Sequence, residues 1–582
     1  MATTSSTNSV ALDSIPARRY PLMTYRGMLS VVAAFALLAF SSRLAEVHPG
    51  VLLRPATAAA IWNFVSRLFP PDLSPEFLRT VLRAVAQTIG TAVAATLLSL
   101  TVALPLGVLA TGTLWNRGVL VAADNRFAYG VGWMVSRLAR TILGFLRAVP
   151  DLVWALLFVA AVGLGSLAGT LALSVAYSGV LGRVYADVFE HVDPQPLEAL
   201  QSTGATRLQI FLRGIWPQAL PHLIAYTLYS FECCVRAAAV LGFVGAGGIG
   251  YEISISMRLF EYGQVLTLLL IFILLLTLTD AASRYLRARF VSRAKSVRQI
   301  RVEIRSKAKL ITYKIRRLVA WTAFLSLMVA SFALAGFVPE TLIQAGVSNR
   351  LADFVRRMLP VDLSWAFVSS LGTALLQTIA ISLMGTLIGM ALAVILAIPA
   401  TSTLTFERRD SPGRRGIMDR ALRWVLFWGA RLVLNILRSI PELVWVLICI
   451  VAVGIGPFAG TIALGLHTAG VLGKLYAETM EEVPLRPVEA LRSLGASPVQ
   501  LLLWAIWPQA RPLLSSYTVL RWETNLRAST ILGLVGGGGL GQAIYNNVQL
   551  GFYPRLTTLI LLIYALVLAS DWIGERFRLH VA

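Results

Sequence analysis

Long apolar runs, broken by short polar and charged stretches, fill the chain. A membrane-crossing helix needs about 20 mostly apolar residues. Runs of that kind lie near 28–45, 84–112, 132–160, 165–188, 217–243 and 262–284. A second set lies near 318–338, 373–399, 424–452, 456–478, 508–534 and 554–574. The pattern therefore predicts an all-α polytopic membrane protein of about 12 transmembrane helices, in two sets of six. Composition agrees: 57% of residues are hydrophobic and 14% charged, against about 25% charged in average soluble domains. Cys233, Cys234 and Cys449 sit in apolar runs and read as reduced packing residues.

The net charge of +22 invites a nucleic-acid reading, but its distribution argues against one. Residues 284–317 hold thirteen Lys and Arg against one acid, Glu303. Residues 403–424 hold six Arg against three acids, whereas 46–79 is balanced at three against three. Lys and Arg collect on the cytoplasmic side of membrane proteins. Twelve spans with both termini in the cytoplasm put each loop on its expected side, and nucleic acid is not needed to explain the charge. Arg18, Arg19 and Arg26 before the first apolar run resemble a signal segment, but no small-residue cleavage site follows, so a retained first helix is expected.

The two sets are copies. Leu146–Trp154 (LRAVPDLVW) recurs as Leu437–Trp445 (LRSIPELVW), 291 residues on. Residues 198–250 and 489–541 align without gaps with 27 identities in 53 positions. Nearer the front the offset is 290, as in Gln87-Thr88-Ile89 against Gln377-Thr378-Ile379. An even number of spans per copy makes the repeat parallel, about an axis along the membrane normal. The expected organisation is a first unit at 1–283, a basic cytoplasmic linker at 284–317 and a second unit at 318–582.

A polar stretch follows the fourth span of each copy. One contains Glu198, Ala199 and Gly204 and runs on to Ile215, Trp216 and Pro217. The other contains Glu489, Ala490 and Gly495 and runs on to Ile506, Trp507 and Pro508. Each reads as a short helix, a glycine break and an amphipathic lead into the next span. Such a helix suits a partner's groove.

These stretches resemble the coupling loop of ATP-binding-cassette importer permeases, with Leu200 and Leu491 replacing the family's third alanine. LRSIPELVW, the runs Gly179–Tyr185 and Gly470–Tyr476, and the glycine-rich 242–250 and 533–541 resemble the phosphonate-transport permease branch. The resemblance covers roughly 130–290 and 420–578 and implies a type I importer permease with two units fused in one chain. It implies two cytoplasmic ATPase subunits at the two loops and an external substrate-binding protein. The substrate would be phosphonate or a related phosphorus oxyanion, and the site the cytoplasmic membrane of a prokaryote. ATP would be bound by the partners, since G-x-x-x-x-G-K-[ST] is absent. The chain itself would hold no cofactor and no metal and would not be an enzyme. An ion-gradient-driven secondary anion transporter with parallel repeats is the alternative. It explains the duplication but not the paired loops.

Ionisable residues inside spans usually face a bundle interior or water. Arg147 with Asp151, Glu232 with Arg236, Arg438 with Glu442, and Glu523 with Arg527 are each spaced i, i+4, which places a pair on one helix face. One reading is self-neutralised pairs holding helices in register. The other is a seam between the halves whose arginines attract an anion. Pro150 and Pro441 can open the helix toward that seam. Tyr177-Ser178 and His467-Thr468 are taken as equivalent polar positions. The runs 245–250 and 536–541 fit G-x-G-x-x-G but follow a membrane helix rather than a strand, which argues against a dinucleotide site. They read as a helix-ending turn, or as an outer gate whose N–H groups approach a phosphoryl group.

Overall fold

The computed structural model describes residues 25–115, 126–300, 322, 325–336, 346–406 and 417–581, which hold helices and no strand. We number the longer helices. The first half contains α1 (Tyr25–Leu44), α2 (Pro55–Leu68), α3 (Pro75–Ala110), α4 (Arg126–Ala148), α5 (Asp151–Val162), α6 (Ser166–Glu190), α7 (Gln195–Ser202), α8 (Trp216–Leu241), α9 (Ile249–Arg258) and α10 (Tyr262–Ile300). The second contains α11 (Leu325–Leu334), α12 (Val347–Met358), α13 (Trp365–Ala400), α14 (Ile417–Ser439), α15 (Glu442–Val453), α16 (Pro457–Glu481), α17 (Leu485–Ser493), α18 (Trp507–Leu532), α19 (Gly539–Gln549) and α20 (Tyr553–Val581). The halves thus run α1–α10 and α11–α20 in the same order, an all-α architecture built twice.

By length and composition, seven helices among the described residues can cross a membrane, or nine if each bent pair is one span. The expected span at 132–160 is such a pair. Pro150 cannot continue α4, and α5 leaves at 85° to it; at Pro441 the bend between α14 and α15 is 98°. α18 carries Arg511, Arg521, Glu523 and Arg527, too many charges for that composition, yet it packs on α13, α16 and α20 as α8 packs on α3, α6 and α10.

Small residues let the central helices approach closely, as is usual in membrane bundles. A Cβ on Gly179 of α6 would lie 2.5 Å from the Arg147 nitrogen of α4, and one on Gly470 of α16 the same distance from the Arg438 nitrogen of α14. The Tyr185 hydroxyl bonds Thr227 Oγ1 at 2.6 Å, and Tyr476 bonds Thr518 at 2.5 Å. These pairs fix the register of α6 on α16 at 291.

The halves also exchange their first helices. α1 packs on α13 of the second half, and the Leu334 side chain of α11 lies against Gly90 of α3. α2 touches α15, and α12 touches α5. The expected boundary at 283 falls inside α10, which continues to Ile300. Residues 301–321, with the rest of the basic linker, lie outside the described residues, as do Arg18 and Arg19, and Arg408, Arg409, Arg414 and Arg415.

Candidate functional site

The two polar stretches fold alike. Leu197 and Val488 are buried and anchor α7 and α17, while Glu198, Ala199, Glu489 and Ala490 are exposed. Gly204 (φ +77°) and Gly495 (φ +80°) end the short helices in the left-handed conformation that glycine tolerates. The Ala205 and Ala496 N–H groups then donate back to the Leu200 and Leu491 carbonyls. Thr206 with Gln209, and Ser497 with Gln500, form reciprocal capping boxes.

Pro217 and Pro508 lie in the first turn of α8 and α18 and offer no N–H to the preceding turn. That turn widens into a π-helix at Phe211–Ile215 and Leu502–Ile506. Gln218 Nε2 donates to the Gly214 carbonyl and Gln509 Nε2 to the Ala505 carbonyl. Ile215 and Ile506 are buried beneath. Leu200, which departs from the family alanine, packs toward Gly214. Beside each short helix stand exposed apolar side chains, Leu208 and Leu212 in one copy and the matching Val499 and Leu503 in the other. Arg140 bonds Glu190, and Arg431 bonds Glu481 at 2.7 Å, bracing α6 and α16 just before each loop.

The glycine-rich turns are closed to a phosphoryl group at two of their N–H groups. Gly248 N–H donates to Gln87 Oε1 and Ile249 N–H to Thr88 Oγ1; Gly539 and Leu540 donate in the same way to Gln377 and Thr378. The Gln-Thr dipeptides that mark the repeat are therefore caps for α9 and α19.

Between the halves lies a cavity of about 340 Å³, lined by Asp151, Tyr177, Arg236, Pro441, Glu442 and Arg527 among others. Six of the twelve candidate pathway residues thus meet in one place. The other six do not line it. Arg147 pairs with Asp571 at 3.0 Å, Glu232 with Arg287 at 3.6 Å and Glu523 with Arg578 at 2.6 Å. Arg438 is half-buried and donates to Asn435 Oδ1 at 3.2 Å. Pro150 forms the α4–α5 break, and His467 is buried behind Glu442.

None of the four expected i, i+4 pairs forms an ion pair. At Pro150 and Pro441 the helix turns through nearly a right angle, so Arg147 and Asp151, or Arg438 and Glu442, share no face. Glu232, Glu523 and Arg527 find partners on α10 and α20 instead. The expected equivalence of Tyr177 with His467 is also one residue out. In the 291 register Tyr177 matches Thr468 and Ala176 matches His467.

The second half holds a polar cluster that the first lacks. Glu442 Oε1 lies 3.2 Å from His467 Nε2 and 3.4 Å from Arg521 Nη2. His467 Nδ1 lies 3.0 Å from the Ile440 carbonyl, so both ring nitrogens are engaged within the protein. Asn525 Nδ2 donates to Thr386 and Thr468. The positions matching Arg521 and Asn525 in the first half are Ser230 and Cys234. Arg521, Asn525 and Asp571 escaped the sequence reading. The first two occur in only one copy, and Asp571 lies 44 residues from Arg527, which it holds at 2.6 Å.

Two stretches, 117–292 and 416–581, match the family described as binding-protein-dependent transport system inner membrane component; together they span more than half of the chain. The phosphate-import permease protein PhnE of Mycolicibacterium smegmatis is 33% identical over 446 residues, covering 76% of this chain and 78% of that protein. The phosphite transport system permease protein PtxC of Stutzerimonas stutzeri is 35% identical over 245 residues, covering 42% of this chain and 82% of that protein. With the same fold written twice and the same loop built twice, the chain belongs to the family of binding-protein-dependent transport system inner membrane components.

Proposed function

We propose that this chain is the membrane permease subunit of an ATP-driven importer, with two permease units fused, and that it carries a phosphorus oxyanion (phosphonate, phosphite or phosphate) inward. Membership of the family implies a membrane, an ATPase partner and a substrate-binding partner. Our finer reading is two ATPase subunits, one on α7 with Glu198, Ala199, Gly204, Ile215 and Pro217, the other on α17 with Glu489, Ala490, Gly495, Ile506 and Pro508. The external binding protein would deliver the anion to the seam. Both termini and the basic linker at 284–317 would face the cytoplasm, and the units would divide at that linker.

The observation that carries this reading is the paired loop: two short exposed helices, each capped, braced and flanked by exposed apolar side chains at matching places. An ion-gradient transporter gives those helices no task. For the substrate class, support comes from relatives named for phosphate and phosphite, and from two guanidinium groups in the seam cavity, whose planar forks match oxyanion geometry. The test is co-purification. Glu198→Lys with Glu489→Lys should abolish recovery of the ATPase with the chain while the chain stays folded in the membrane. Unchanged ATPase recovery would sink the docking assignment.

A further inference from the structure

A charged cluster at the seam has a counterpart 291 residues earlier, and the two are not in the same state. Asp571 of α20 holds Arg147, across the seam, at 3.0 Å and Arg527 of α18 at 2.6 Å. The matching residues are Asp280, Arg438 and Arg236, and no two of these are bonded to each other. Arg438 turns to Asn435 on its own helix. Asp280 lies beside the Glu232 carboxyl and keeps Oδ1 buried without a partner. Arg236 makes no ion pair among the described residues, and its Nε, like that of Arg527, is buried without a partner.

Arg236 and Arg527 both line the 340 Å³ cavity. Arg527 is therefore held in an ion pair and Arg236 is not. Of the two carboxylates in the lining, Glu442 is neutralised by Arg521 beside His467. Asp151 accepts only the Leu152 N–H, at 2.9 Å. The cavity thus holds one uncompensated cation and one uncompensated carboxylate that do not meet each other. Both are half-buried, and charges withdrawn from water in that condition are costly until a ligand supplies both partners.

We propose that the seam cavity is a one-sided oxyanion site: Arg236 anchors the anion, Asp151 accepts a hydrogen bond from an acidic O–H that the anion carries, and Arg527 is withheld by Asp571. This rests on, and deepens, the phosphorus-oxyanion reading. Hydrogen phosphate and a hydrogen alkylphosphonate bring the required O–H. Sulfate does not, and would leave Asp151 facing a bare anion.

The experiment is calorimetric titration of the purified full chain with phosphate, methylphosphonate and sulfate near neutral pH. Phosphate and methylphosphonate should bind and sulfate should not. Arg236→Gln should weaken both by about 10- to 100-fold, the range for losing a charged hydrogen bond, without lowering the thermal midpoint. Arg236→Lys should weaken them less. Asp571→Asn releases Arg527 and should tighten binding. Asp151→Asn should admit sulfate. If Arg236→Gln binds as wild type does, or loses thermal stability with affinity unchanged, the one-sided site is wrong while the transport reading stands. If wild type binds none of the three anions yet still couples to ATP hydrolysis, the substrate class fails and this site with it.

Discussion

Asp571 and Asp280 occupy matching positions in two copies of one helix, but only the first should matter for stability. Asp571→Asn removes the carboxylate charge that serves Arg527 at 2.6 Å and Arg147 at 3.0 Å. A hydrogen bond to a charged group contributes about 1.5–3 kcal/mol. The Arg147 side chain is 40% exposed, so solvent screening reduces its share to about 0–1 kcal/mol. The expected loss is about 2–4 kcal/mol. Asp280→Asn should cost about nothing or stabilise, because it removes an orphaned buried oxygen beside Glu232. The assay is denaturant titration in mixed micelles on both variants, with Arg147→Gln and the Arg147→Gln/Asp571→Asn double variant closing a cycle. The Arg147–Asp571 coupling should not exceed about 1 kcal/mol. Equal losses for the two aspartates would refute the asymmetric clamp.

Three other outcomes follow from the same geometry. Gly250→Ala would place a Cβ 1.7 Å from the Ala239 carbonyl oxygen, and Gly541→Ala one 2.0 Å from that of Thr530; backbone cannot yield that far, so folded protein in the membrane fraction should fall sharply. Thr88→Val and Thr378→Val each orphan one buried N–H, of Ile249 or Leu540, and should cost about 1–3 kcal/mol each by the same micelle titration. Outside the spans, Asp72 accepts the Ser74 N–H and Asp362 the Ser364 hydroxyl and N–H, and those bonds hold both carboxyls below their ordinary values. Lowered carboxyl values stabilise above the unfolded value and lose that stabilisation as pH falls through the folded one. Acid unfolding curves of Asp72→Asn and Asp362→Asn should therefore be flatter below about pH 4 than wild type.

Which parts of this were legible in the sequence depends on how local they are. The repeat and the loop design are written in contiguous motifs, and both fold twice; of the twelve expected spans, seven long apolar helices and two bent pairs stand among the described residues. Pro150 and Pro441 were visible as helix breakers, but a proline does not state a bend of 85° or 98°. The i, i+4 pairs assumed an unbroken helix and the nearest partner, whereas Arg147 finds Asp571 some 424 residues away. The equivalence of Tyr177 with His467 failed because the offset changes from 290 at Thr88 to 291 by Arg140, between α3 and α4. The exchange of α1 and α11 between halves leaves no sequence mark, since an apolar helix reads the same on either core. Arg521 and Asn525 stand in one copy only, and a search for repeated features passes over them.

The central claim is that ATP, acting through α7 and α17, drives oxyanion uptake through this one chain. The direct measurement is uptake of labelled phosphate and methylphosphonate into proteoliposomes holding the chain with its ATPase, with the binding protein outside. Uptake should require enclosed ATP, persist when ion gradients are collapsed, and stop in the Glu198→Lys/Glu489→Lys variant. Uptake that proceeds without ATP and vanishes with the ion gradient would contradict the account.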